Sequence, residues 1–227
     1  MELSLSFTFS AIPLRLLLYL YLKLMGDITD IYGLVVCGGL SSRMGRDKSL
    51  LNYHGKPQQY YLYDMLTAIC SKVFISCNKS QSNEIPQDYN IIIDSEKYNE
   101  IGPMGGLLSA FEKYPKACFL VVGCDYPFMN TEDLKIFLDC YKNDHPAATY
   151  YNDKEQVREP LLGLYKPGCY EPLLKQYEQG DYSLNHFLKG VNAEKIIPSS
   201  LKSIKSVDTF EEYQMVRDAI IAQKPEI

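Results

Sequence analysis

The sequence predicts an α/β fold built on a mostly parallel central sheet, and two features carry that prediction. Apolar runs rich in β-branched residues recur at residues 34–37, 73–77, 91–93 and 119–122, separated by stretches with helical spacing. None of these runs alternates apolar with polar residues, as a strand wetted on one face does; they suit strands covered on both faces.

The first helix is predicted over residues 58–70, where Tyr61, Leu62, Met65, Leu66 and Ile69 recur at intervals of three and four, with Pro57 placed in its first turn. A second follows Gly105 and Gly106, turning Leu107, Leu108, Ala110 and Phe111 toward the sheet. Thr131 is expected to cap a third over 132–141. Beyond Asn143, strands are predicted at 147–151 and 161–165 around a polar turn at 152–155. Short helices over 170–179 and 184–189, brief edge strands at 196–197 and 204–207, and a last helix over 210–223 complete the chain. With no repeat and no linker, residues 31–227 are expected to form one domain.

Residues 1–30 read as an N-terminal extension. The apolar run at 14–24 contains Arg15 and Lys23, which bracket a span far shorter than the ~20 residues a bilayer crossing needs. Glu2 before it and Met25 after it do not give the charge order and cleavage site of a secretory signal. The expectation is that Met25 is the native start and that residues 1–24 are not part of the native protein.

At 227 residues, 46% hydrophobic and 22% charged, the chain is long enough to bury a full core. A formal charge of -5 offers no general attraction to nucleic acid or an anionic membrane, so an anionic ligand must be held by a local cluster. Seven cysteines, with no C-x-x-C pair and no histidine at ligand spacing, argue against a disulfide framework or a zinc site and for a reducing, cytoplasmic setting. His54, His145 and His186 are isolated from one another.

The stretch from Tyr32 to Lys48, Y-G-L-V-V-C-G-G-L-S-S-R-M-G-R-D-K, is the most informative. A buried strand ending in a glycine turn, followed by backbone N–H groups and cations, is physically a polyphosphate site. It is not a P-loop: Lys48 and Ser49 follow Asp47, and Gly45 comes too early for G-x-x-x-x-G-K-[ST]. It is not a dinucleotide fingerprint either, since its glycines fall at Gly38, Gly39 and Gly45. Arg46 reads as a solvated loop charge, Cys37 as a small residue packed beside the glycine turn, and Tyr60, Tyr61 and Tyr63 as helix packing.

The loop G-G-L-S-S-R-M-G-R-D-K closely resembles the signature of nucleotidyltransferases with a GT-A-like fold, and within them the molybdenum cofactor guanylyltransferase family. Further matches follow in order: Asn78 in I-S-C-N, Asp94 in I-I-I-D-S, G-P-M-G-G-L from Gly102, C-D-Y-P around Asp125, E-P-L-L-G-L-Y from Glu159 and G-D-Y-S-L-N-H-F-L from Gly180. The resemblance spans Tyr32 to the C-terminus and implies a three-layer, Rossmann-like nucleotidyltransferase fold.

It also implies an activity: Mg²⁺-dependent transfer of GMP from GTP to the molybdopterin cofactor, with release of pyrophosphate. The same machinery in relatives serves cytidylyl or sugar-phosphate nucleotidyl transfer, and a non-catalytic nucleotide-binding partner protein is a further alternative. By resemblance, Val36, Cys37, Gly38, Gly39, Lys48, Asn78, Asp94 and Asp125 bind the nucleotide. Arg43 and Lys48 are the cations on the triphosphate, and Asp125 is the Mg²⁺ ligand. Gly102, Pro103, Glu159 and Asp208 fall on the acceptor side.

The partners implied are GTP and molybdopterin, with transient contacts to cofactor-synthesis proteins or apo-molybdoenzymes. One motif departs: where the family carries N-x-N-T-P-E-D, this chain has S-V-D-T-F-E-E from Ser206, with Thr209 and Glu211 matching and Asp208 a near substitute for asparagine.

Overall fold

A computed structural model describes residues 30–37 and 47–222. The residues of the N-terminal extension up to 29, and the loop residues Gly38, Gly39 and Arg43, lie outside the described residues. Among the described residues seven strands form one sheet in the order β3-β2-β1-β4-β6-β5-β7. They are β1 (Ile31–Val36), β2 (Lys72–Cys77), β3 (Ile91–Ile93), β4 (Cys118–Gly123), β5 (Ala147–Asn152), β6 (Val157–Tyr165) and β7 (Glu194–Ile196). β1 pairs in parallel with β2 and β4, and β2 with β3; β6 runs antiparallel to both β4 and β5, and β7 parallel to β5. β6 alone therefore runs against the other six.

The continuous apolar runs are explained by helices on both faces. Leu34, Val36, Phe74, Phe119 and Val121 point into one core, with α2 (Pro103–Lys113), α4 (Tyr170–Glu178) and α5 (Leu184–Gly190). Val35, Val73, Ile75, Leu120 and Val122, one residue out of step, point into a second with α1 (Gln58–Thr67) and α3 (Thr131–Cys140). This is a three-layer α/β sandwich. A small third cluster joins Leu51 and Tyr53 to Val207, Tyr213, Val216 and Ile220 of the last helix, α6 (Phe210–Ala222), and its approach.

Several boundaries differ from the sequence expectation. α2 begins at Pro103, so Gly105 and Gly106 lie inside it; Gly102 precedes it at φ 69°, a conformation favouring glycine. Pro57 stands just before α1, which ends at Thr67. Asn130, not Thr131, caps α3: its side-chain oxygen accepts from the Asp133 N–H at 2.9 Å. β6 starts at Val157, four residues earlier than its apolar half suggests. β7 covers Glu194–Ile196, whereas residues 204–207 form no strand: Ile204 packs in the second core and the Val207 N–H donates to the Asp125 carbonyl at 2.9 Å. All seven cysteines are free thiols.

Candidate active site

In an open sheet the carboxyl ends of the strands leave a crevice where the chain order reverses. Here that point lies at β1, whose chain neighbour β2 sits on one side and β4 on the other. The β1 and β4 ends are tied by the Cys124 N–H donating to the Val36 carbonyl at 3.3 Å, with the Cys37 and Cys124 sulfurs 4.0 Å apart.

On the β2 and β3 side, a cleft of about 430 Å³ is lined by Val36, Cys37, Asn78, Asp94, Gly102 and Pro103, together with Ser76 and Gln81. Asp94 follows β3, and its Oδ1 accepts the Ser76 hydroxyl at 2.8 Å. Burial pushes its carboxyl up to about 6, with the Ser76 bond acting in the opposite sense. Asn78 follows β2 in a side-chain turn, its Oδ1 accepting from the Gln81 N–H at 2.9 Å and the Ser80 hydroxyl at 2.6 Å. The helical glycines shape this wall. A Cβ on Gly106 would fall 2.3 Å from Ser76 Oγ and 3.5 Å from Asp94 Oδ1, and one on Gly105 2.6 Å from the Tyr98 carbonyl. Gly102 and Pro103, expected on the acceptor side, thus line the Asn78 and Asp94 cleft.

On the β4 side stands a corner of charged groups. Asp125 immediately follows Cys124 beyond β4, and its Oδ1 is buried with no hydrogen-bond partner among the described residues. Burial pushes this carboxyl up to about 6, while the Lys48 charge pulls it back. A Cβ on Gly123 would lie 2.5 Å from that oxygen, so the strand end must be glycine for Asp125 to turn inward. The Tyr126 hydroxyl donates to Glu159 Oε2 at 2.7 Å, and burial also raises the Glu159 carboxyl.

Lys48 opens a short 3-10 turn, Lys48–Leu50, whose preceding residue Asp47 accepts from the Ser49 N–H at 2.9 Å. Its Nζ donates to Asp208 Oδ1 at 2.6 Å, across 160 residues of chain. Asp208 is held there by a capping box at the start of α6. Thr209 Oγ1 accepts from the Glu212 N–H at 3.2 Å, and Glu212 Oε2 accepts from the N–H groups of Asp208 and Thr209 at 2.8 and 3.1 Å.

Ser76, Gln81 and Tyr126 are site-lining or site-supporting residues absent from the sequence expectation. Ser76 had a signal, a polar residue breaking the apolar β2 run, and Tyr126 stands inside C-D-Y-P. Gln81 had none, since its role depends on a turn.

The crevice is thus divided, with a polar cleft on one side of the central strand and a part-buried carboxylate beside a lysine on the other. It stands in a three-layer α/β fold shared with solved nucleotidyltransferases. The MobA-like NTP transferase domain matches residues 33–196, and the chain belongs to that family.

A molybdenum cofactor biosynthesis bifunctional protein from Synechocystis sp. is 32% identical over 188 residues. That match covers 83% of this chain but 54% of the relative, so the chain spans about half the length of that protein. A probable molybdenum cofactor guanylyltransferase from Halalkalibacterium halodurans is 29% identical, with 72% of this chain and 83% of the relative covered. Among solved structures, molybdopterin-guanine dinucleotide biosynthesis protein A from Archaeoglobus fulgidus shares the fold with a TM-score of 0.70 at 18% identity. Coverage there is 85% of this chain and 100% of that one.

Proposed function

We propose that the protein transfers GMP from GTP to the terminal phosphate of molybdopterin and releases pyrophosphate, as a Mg²⁺-dependent cytoplasmic enzyme of molybdenum cofactor synthesis. The observation that carries this reading is the pair of part-buried carboxylates, Asp94 and Asp125, on opposite sides of the β1 end. Asp94 can accept from the two donors on a guanine edge, N1–H and N2–H, with Asn78 beside it. Among the described residues no helix is long and apolar enough to cross a membrane.

The residues fit a magnesium ion. Asp125 Oδ1 is a buried carboxylate oxygen with no hydrogen-bond donor among the described residues, as suits a hard cation that takes few protein carboxylates. Asp125 would hold it, and when bound the ion offsets negative charge on the phosphates. Lys48 supplies a cation on the triphosphate side, and Glu159 and Asp208 border the acceptor. The attacking phosphate monoester, with a second pKa of about 6, is already largely ionised at neutral pH, so no general base is required.

The test is to supply molybdopterin and Mg²⁺ with GTP, CTP or ATP and measure pyrophosphate release. Release with GTP alone is expected; release with CTP in preference to GTP, or with no triphosphate, would overturn the assignment.

A further inference from the structure

We infer that Gln81 is a positioning residue that ties the nucleoside side of the site to the phosphate-binding lysine. Its side chain reaches in two directions. Gln81 Oε1 accepts the Asn78 backbone N–H at 3.0 Å, and Gln81 Nε2 donates to Asp47 Oδ2 at 2.8 Å. The other oxygen of Asp47 accepts the Ser49 N–H at 2.9 Å and the Ser49 hydroxyl at 2.6 Å, fixing the turn that Lys48 opens. At the opposite end, the Gln81 N–H returns to Asn78 Oδ1 at 2.9 Å, closing the turn after β2.

One side chain therefore links the residue that follows β2 with the residue that aims Lys48, Gln81 itself lying 34 positions from Asp47 in sequence. The chemistry also fixes its type. A backbone N–H only donates and a carboxylate only accepts, so the bridge needs an acceptor and a donor on one planar group. Glutamine supplies both; glutamate would set two carboxylates against each other.

The consequence is that ordering the Asn78 turn around a nucleoside orders the Lys48 turn for the triphosphate. This rests on the nucleotide reading above and adds to it a route by which base and phosphate binding reinforce one another.

The test is calorimetric titration of the full chain with GTP and with GMP, in Mg²⁺. Gln81→Glu should raise the Kd for GTP at least about tenfold, the loss of one charge-assisted hydrogen bond, while the Kd for GMP rises much less. Adding Asp47→Asn to Gln81→Glu should bring the GTP Kd back toward wild type, because the asparagine amide then donates to the new carboxylate. Thermal unfolding of each variant identifies a general loss of fold.

A wild-type GTP Kd in Gln81→Glu, equal losses for GMP and GTP, or no recovery in the double variant would overturn the bridge while leaving the nucleotide reading intact. Failure of the wild-type chain to bind any nucleoside triphosphate would sink that reading, and the bridge with it.

Discussion

The two sides of the crevice are built by different means. The cleft proposed for the nucleoside draws on residues 36 to 106, from three adjacent parallel strands and the helix that covers them. The charged corner is assembled from four separated places: the turn after the first loop, the end of β4, the antiparallel strand β6 and the approach to α6. A cleft of the first kind is placed by the sheet itself. A corner of the second kind depends on contacts such as Lys48 to Asp208, which nothing in local chain geometry enforces. Substitutions in the corner should therefore change turnover and leave the fold intact, whereas those in the cleft should change folding and base binding together.

The sharpest break of that contrast would come at Asp125. Asp125→Ala should lower pyrophosphate release by about a thousandfold or more, the loss of a metal-held interaction of several kcal/mol, with circular dichroism unchanged. Retained turnover would remove the metal assignment. Lys48→Ala should weaken GTP binding by about ten- to a hundredfold, as for one charge-assisted contact, and hardly affect guanosine binding.

On the cleft side, Gly106→Ala drives a methyl against Ser76 Oγ. It should cost about 1–3 kcal/mol in urea unfolding and weaken GTP binding in the same variant. Separation of those two losses would show that the cleft is not an integral part of the sheet.

Asp94 gives a pH test whose sign is opposite to that of a paired carboxylate. Its folded value near 6 lies above the ordinary 3.8, so between these pH values the folded chain holds a proton that the unfolded chain has released. Stability from this group falls as pH rises from about 4 to 6 and stays reduced above. Asp94→Asn should thus stabilise the protein at pH 7.5 by on the order of 1–2 kcal/mol, with the gain fading below pH 6, while GTP binding is lost. Denaturation at pH 7.5 and 5, paired with calorimetry, checks both halves. The smallest effect is expected at Asp208. Its carboxylate is 54% exposed, so Asp208→Ala should change stability by less than about 1 kcal/mol, with any change in turnover seen at limiting acceptor.

This contrast also explains what could be read from the chain. Asn78, Asp94 and Asp125 each end an apolar run, so a strand prediction located them and the parallel topology brought them to one edge. The two-sided cores were legible in the same way, from the lack of polar alternation. The α2 start was displaced because Gly105 and Gly106 read as turn formers, while their use is close approach to Tyr98 and Ser76. Residues 204–207 read as a strand from their apolar ends, yet Val207 spends its N–H on the Asp125 carbonyl, a partner 82 positions away and invisible to periodicity. Gln81 was hidden for the same reason: a hydrogen bond from a turn to a distant carboxylate leaves no spacing to detect.

The third, smallest core has a practical consequence. The family match ends at residue 196, at the last residue of β7, so a fragment cut there would carry every strand of the sheet. It would also lack Asp208 and the helix that shields Leu51 and Tyr53, leaving an apolar flank beside the segment that carries Lys48. Such a minimal domain should be sticky and poorly soluble despite its complete sheet, and expression work on this protein is better bounded by the end of α6 than by the edge of the sheet.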